Sequence, residues 1–266
     1  MEIGSFSGSR SRLFKSLLFF AILFFSITSG IAVDYTWNPH GTGDGVSWND
    51  QANWNGTPGG GFPDGDDDTA TLASGVTVST LGGPLTIGEL IINDPIAVLV
   101  LDQNLIIAST GGETGNVSIV NGTLSMSTFN LVVGNDLSLG TGSSLTQTTG
   151  NLTVTGITTI DVGAGNDLTL DDPDNDFQSA VSITSGNDVS ITDTNNIVLG
   201  ISTVTTSLSI TTGGTVTQTG VITAPTLTLA GAGTYTLGGQ NNDVTTLNVS
   251  GGLGGDLGFR DDNGFA

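Results

Sequence analysis

The 266-residue chain has no cysteine, a single histidine, and only four lysine or arginine residues against 25 acidic ones. Each shortage excludes something. Without cysteine no disulfide can staple the fold, even in an oxidising compartment, so stability has to come from packing and backbone pairing. His40 has no second imidazole with which to form a histidine-based metal cluster or a proton relay. A surface this poor in cations offers no counter-charge to nucleic acid phosphates or to anionic lipid headgroups, which argues against both as partners.

Three of the four basic residues stand at the start. Arg10, Arg12 and Lys15 precede an apolar run from Ser16 to Ile27, and Gly30-Ile31-Ala32 places small residues at positions minus three and minus one of a cleavage site after Ala32. This succession predicts a signal peptide over residues 1–32 and a secreted or cell-surface product. The apolar core is shorter than the ~20 residues a membrane-spanning helix needs, and no later stretch is apolar enough to insert. Cleavage would leave Arg260 as the sole basic residue and about 23 net negative charges.

What the rest of the chain has in abundance is repetition. Leu168-Thr169-Leu170, Val189-Ser190-Ile191, Leu208-Ser209-Ile210, Leu227-Thr228-Leu229 and Leu247-Asn248-Val249 are one apolar-polar-apolar triplet returning about every 20 residues. Leu199, Val216 and Tyr235 suggest a second register, and Val117-Ser118-Ile119 and Leu137-Ser138-Leu139 extend the pattern upstream. Steps of 15 and 16 residues through Leu152 interrupt the rhythm. Alternation within each triplet is the two-residue period of a strand with one buried face. A coil of about 20 residues cannot bury that face alone, but stacked coils can, with strands pairing in parallel at roughly 4.8 Å. The expected fold is all-β, a right-handed parallel β-helix of roughly nine turns and roughly 40 Å over residues 69–250. An antiparallel sandwich of short strands is the competing architecture.

Residues 33–68 differ in composition. Trp37, Trp48 and Trp54 lie within 18 residues, followed by Pro63 and the acidic loop Asp64-Gly65-Asp66-Asp67-Asp68. A solenoid needs an atypical end to cover its first coil, so this segment reads as an N-terminal cap, with an exposed aromatic binding platform as the rival reading. The Gly/Asp-rich tail, residues 251–266, contains no strand run long enough to finish the core, as expected of a truncated product or one completed by a partner.

Tyr35-Thr36-Trp37, Gly45-Val46-Ser47-Trp48, Ala52-Asn53-Trp54 and Phe62-Pro63-Asp64-Gly65-Asp66-Asp67, followed by short-strand repeats, resemble the opening of large bacterial surface exoproteins of the autotransporter and filamentous haemagglutinin type. Asn175-Asp176-Phe177, Gly186-Asn187-Asp188-Val189 and Ile197-Val198-Leu199-Gly200 are similar to repeat units of such passengers. The resemblance implies an exported parallel β-helix acting as an adhesin or surface-layer component. The resemblance also implies a terminal membrane barrel, anchor or sorting tail; no row of ten-residue transmembrane strands precedes Asp261-Asp262-Asn263-Gly264-Phe265-Ala266, so a freely secreted product is the other expectation.

Chemistry has few candidates. Gly134-Asn135-Asp136, Gly165-Asn166-Asp167 and Gly186-Asn187-Asp188 echo a calcium β-roll, but their spacings of 31 and 21 residues do not encode the nine-residue repeat by which adjacent turns share ions. Asp171 to Asp176 and Asp64 to Asp68 can offer oxygen to a hard cation such as calcium, although solvated acidic loops explain them as well. A polysaccharide lyase wants basic residues at the developing anion, and Arg260 stands alone. A hydrolase needs only paired carboxylates, and aspartates clustered over an open groove would identify one. No catalytic or cofactor-binding residue is assigned. Sequons at Asn55, Asn116, Asn121, Asn151 and Asn248 match the chance expectation for so Asn-, Ser- and Thr-rich a chain. The expected function is non-enzymatic adhesion or envelope structure, with a carbohydrate or another cell surface as partner. The alternative is a β-helical polysaccharide hydrolase using aspartates.

Overall fold

The structure is a computed structural model of the chain and describes residues 32–38, 40–56, 61–79, 82–109 and 114–264. The signal-peptide reading falls on residues 1–31, outside the described residues, apart from Ala32 itself.

Leu, Ile and Val alternate with Ser and Thr in many strands, and the apolar member of each pair is buried; in Leu105–Ile107 and Leu131–Val133 the outward position is itself apolar. Because a strand turns successive side chains to opposite faces, this pattern sends one set inward and leaves the other on the surface. The strands coil into a parallel β-helix with three walls. On the first wall Leu90 pairs with Val117, Val117 with Leu137, Leu137 with Thr158, and Thr158 with Val181. The second carries Leu168, Val189, Leu208, Leu227 and Leu247 in register. The third stacks Leu85, Leu105, Leu131 and Leu152 and ends at Phe177, which pairs with Val154; in the following coils Ile197, Val216 and Tyr235 stack in register, their run joined to the first wall where Leu199 pairs with Val181. Among the described strands only Asp34–Trp37 with Trp54–Gly56 pairs antiparallel, so the sandwich alternative is wrong.

The predicted inner column of Leu170, Ile191, Ile210, Leu229 and Val249 is present link by link. All but Val249 are buried; Val249, on the last rung of that wall, is 48% exposed. Burying each of the four covered side chains contributes roughly 1.5–3 kcal/mol, so the column is a main source of stability. Two details of the sequence reading need correction. Val216 sits over Ile197 rather than Leu199, whose partner is Gln218. The short steps through Leu152 do not break the coil, because Leu137 belongs to the first wall, Leu152 to the third and Leu168 to the second.

Corners are closed by side-chain amides and by glycine. Asn104 Oδ1 accepts from Asn130 N at 3.0 Å and Asn130 Oδ1 from Asn151 N at 2.9 Å, an asparagine ladder one rung per step. At Gly150 a Cβ would lie 1.9 Å from the Phe129 carbonyl oxygen, so the coils approach too closely there for any side chain.

The N-terminal segment covers the first coil. Strand Asp34–Trp37 pairs in parallel with Thr69–Leu72, and Trp54 stands edge-on to both Trp37 (4.9 Å between ring centroids) and Trp48 (4.7 Å). All three indoles are buried. Trp48 Nε1 donates to Pro63 O at 2.8 Å and Trp54 Nε1 to Trp48 O at 2.6 Å. These rings are core, and an exposed aromatic platform is not what they form. At the other end the tail does contain a strand, Leu257–Asp261, which pairs with Thr234–Ser250 but leaves Leu257 exposed.

Candidate functional site

The outward residues are as ordered as the inward ones. On the second wall Thr169, Ser190, Ser209, Thr228 and Asn248 form one column, with Asp188, Ser207, Thr226 and Thr246 beside it and Thr192, Thr211, Ala230 and Ser250 beyond. Register fixes these side chains at the rung spacing of roughly 4.8 Å. Strand alternation holds them off the core, so the wall is a lattice of hydroxyls and amides. On the first wall Ser118, Ser138, Thr159 and Ser182 make a shorter row of the same kind.

The Gly-Asn-Asp sequences do not form one site. Asn187 Nδ2 donates to Asp167 Oδ1 at 2.8 Å and Asp188 N to the same oxygen at 3.2 Å, so two of the three copies stack. The third, Asn135-Asp136, stands at the corner before the first wall, where Asn135 Nδ2 and Asp136 N both reach Asn116 Oδ1. In each case the acidic or amide oxygen serves a neighbouring coil.

In the aspartate-rich loops proposed for calcium the carboxylates serve mostly their own loop. Asp68 Oδ2 accepts from Asp64 N and Gly65 N, Asp172 Oδ1 from Asp174 N, and Asp176 from Gln178 and Asn195 side chains. Among the described residues no three acidic or imidazole groups are placed to hold a metal ion. His40 is exposed, and only its backbone N–H is seen to donate, to Asn38 Oδ1.

Three aspartates are electrostatically distinct. Burial pushes the Asp193 carboxyl above the usual range, although N–H groups of Phe177 and Asn195 favour its ionised form and Asp176 opposes it. Burial also raises Asp68, against N–H groups of Gly65 and Asp64 and with added repulsion from Asp67. Asp44 is held well below the usual range, first by the Ser47 hydroxyl, then by the N–H groups of Val46 and Ser47 and the Asn53 amide. All three act as acceptors for local backbone, the role of a corner residue.

Two buried amide clasps escaped the sequence reading. Asn175 is fully buried against Gln147, and its Oδ1 also accepts from Leu152 N at 2.9 Å. Asn242, equally buried, meets Gln218 and accepts from Ile222 N at 3.0 Å. The signal was available: Thr146-Gln147-Thr148-Thr149-Gly150 and Thr217-Gln218-Thr219-Gly220, each followed a coil later by Asn-Asp and an apolar residue.

Residues 114–184 and 186–250 each match the family model described as Repeats of unknown function (DUF5649), together more than half of the chain. The chain belongs to this repeat family. No curated protein and no solved structure matches it. Each DUF5649 repeat holds one clasp, so the clasp is a feature of the repeat rather than of one coil. The two copies do not occupy the same wall. Val117-Ser118-Ile119 of the first DUF5649 repeat lies on the first wall and its counterpart Val189-Ser190-Ile191 on the second. Likewise Leu152, served by the first clasp, is on the third wall, whereas Ile222, served by the second, pairs through Ser202 with Ile183 of the first wall.

Proposed function

We propose that this chain is an exported, non-catalytic display protein, an adhesin or envelope component of the kind resembled by autotransporter and haemagglutinin passengers. The observation that carries this reading is the in-register lattice of Ser and Thr on the second wall. Such a lattice offers many equivalent donors and acceptors on a rigid support, so a ligand gains from repetition rather than from any one contact. The basic, apolar and small-residue succession before Val33 supports export. Among the described residues no helix is long and apolar enough to cross a membrane.

The test is a panel of neutral and acidic polysaccharides and whole cells, assayed for retention and for cleavage. Retention without cleavage, weakening gradually as coils are deleted, supports display. Mass spectrometry of secreted material should find Val33 as the first residue, and an intact chain beginning at Met1 in the membrane would refute export.

A hydrolase is the second reading, favoured by one observation: Glu89 and Asp136 line the same surface groove. Turnover abolished by Asp136→Asn alone would establish it and displace the display reading.

A further inference from the structure

The groove on the first wall differs from the flat lattice beside it. It encloses about 410 Å³, a volume in the range of small-ligand sites. Ser118, Ser138 and Thr159 line it, in register on three successive rungs. Their side chains point outward, opposite to the buried Val117, Leu137 and Thr158, and none of the three hydroxyls has a hydrogen-bond partner among the described residues. Glu89 and Asp136 line the groove as well, each one residue before a buried leucine of the first wall, in the column beside the hydroxyls. Asp136 Oδ1 accepts from Ile157 N at 2.7 Å, while its other oxygen takes no bond among the described residues. Ile157, 49% exposed, adds an apolar side chain to the lining.

Hydroxyls that both donate and accept, carboxylate oxygens that only accept, and an apolar edge are together the complement of one chemical class. A pyranose ring presents equatorial hydroxyls around its rim and C–H groups on its face. Hydroxyl donors on the sugar suit Glu89 and Asp136, and its C–H face suits Ile157. The same two carboxylates repel an acidic sugar, and among the described residues no lysine or arginine lines the groove to offset them. We infer that this groove is a binding site for a neutral hexose segment of a glycan chain. The inference deepens the display reading: it assigns one recognition site on a surface otherwise built for repetition.

The experiment titrates the full chain with neutral and acidic hexa-oligosaccharides, cellohexaose, mannohexaose and oligogalacturonate, by calorimetry. Two outward-facing variants are compared, Ser138→Phe, which fills the groove, and Ser209→Phe, which places the same ring on the second wall. Neither side chain enters the core, and unchanged melting temperatures check that both variants fold. The expected result is binding of a neutral oligosaccharide, at least about tenfold weaker in Ser138→Phe and unaltered in Ser209→Phe, with no binding of oligogalacturonate. Equal loss in both variants, or none in Ser138→Phe, would overturn the groove site while leaving adhesion through the lattice intact. Binding of the acidic oligosaccharide as tightly as the neutral ones would overturn the assigned ligand class. Wild-type protein retained by no glycan and no cell surface would refute the display reading as well.

Discussion

Gln147 and Asn175, 28 residues apart, meet amide to amide: Gln147 Nε2 donates to Asn175 Oδ1 at 2.6 Å, and Asn175 Nδ2 returns the bond to Gln147 Oε1 at 3.1 Å. Gln218 and Asn242 repeat the exchange at 2.8 and 3.2 Å. A buried amide with both ends satisfied ties one coil to the next at a fixed register. A slip of one residue would leave its donors and acceptors unpaired in the core.

Asn242→Ala should therefore destabilise the protein by about 1–3 kcal/mol, since Ile222 N and the Gln218 amide lose their partner. A double-mutant cycle with Gln218→Ala should return a coupling of about 0.5–3 kcal/mol in urea unfolding. Additive effects would mean that the two amides act independently.

Position along the inner column should decide the cost of truncation. Ile210→Ala opens a cavity between two covered rungs and should cost about 2–5 kcal/mol. Val249→Ala, on the half-exposed final rung, should cost less than about 1 kcal/mol. Thermal or chemical denaturation of the pair reads the difference directly.

Gly150 tests the close approach of coils. Gly150→Ala drives a methyl group onto the Phe129 carbonyl, where only backbone could yield, and should cost more than about 2 kcal/mol. At Gly238, where nothing lies within 4 Å of the added atom, the same substitution should be close to neutral. Comparable melting temperatures for the two variants would contradict this packing.

Acidity should stabilise through Asp193 and Asp68. A carboxyl whose folded pKa is raised binds more protons folded than unfolded, so its contribution is full below the ordinary 3.8 and is lost as pH rises from there through the folded value. Asp44 acts with the opposite sign, its contribution being lost as pH falls from 3.8 through its lower folded value. Melting temperatures should accordingly peak in mild acid and decline toward neutrality. Asp193→Asn removes that ionisation, so the decline should be shallower even though one of the two accepted backbone bonds goes with it. An unchanged slope would rule out Asp193 as a source of the effect.

The solenoid was legible because its code is local: alternation marks a strand, and the return of Val189, Leu208 and Leu227 at coil spacing marks their stacking. Assignment of strands to walls was not legible. Every wall uses the same apolar alternation, so Leu137, Leu152 and Leu168 look like one faltering series until the coil is wound. Ile197 and Leu199 are two residues apart on the same strand face, and alternation alone fits either of them over Val216. The clasps escaped for a related reason, since partners 28 and 24 residues apart are joined only by winding. The groove depended on depth as well as register, which a pattern of residue types does not contain.

The displacement of the second DUF5649 repeat by one wall gives the rod a screw sense of presentation. Had the repeat contained a whole number of coils, Ser118 and Ser190 would point the same way and the protein would be a one-sided tape. Instead the two copies of a motif look out in different directions from a single axis. A ligand that recognised the motif could be held by one molecule on two flanks at once, as a bridge between surfaces and not merely a coating on one of them.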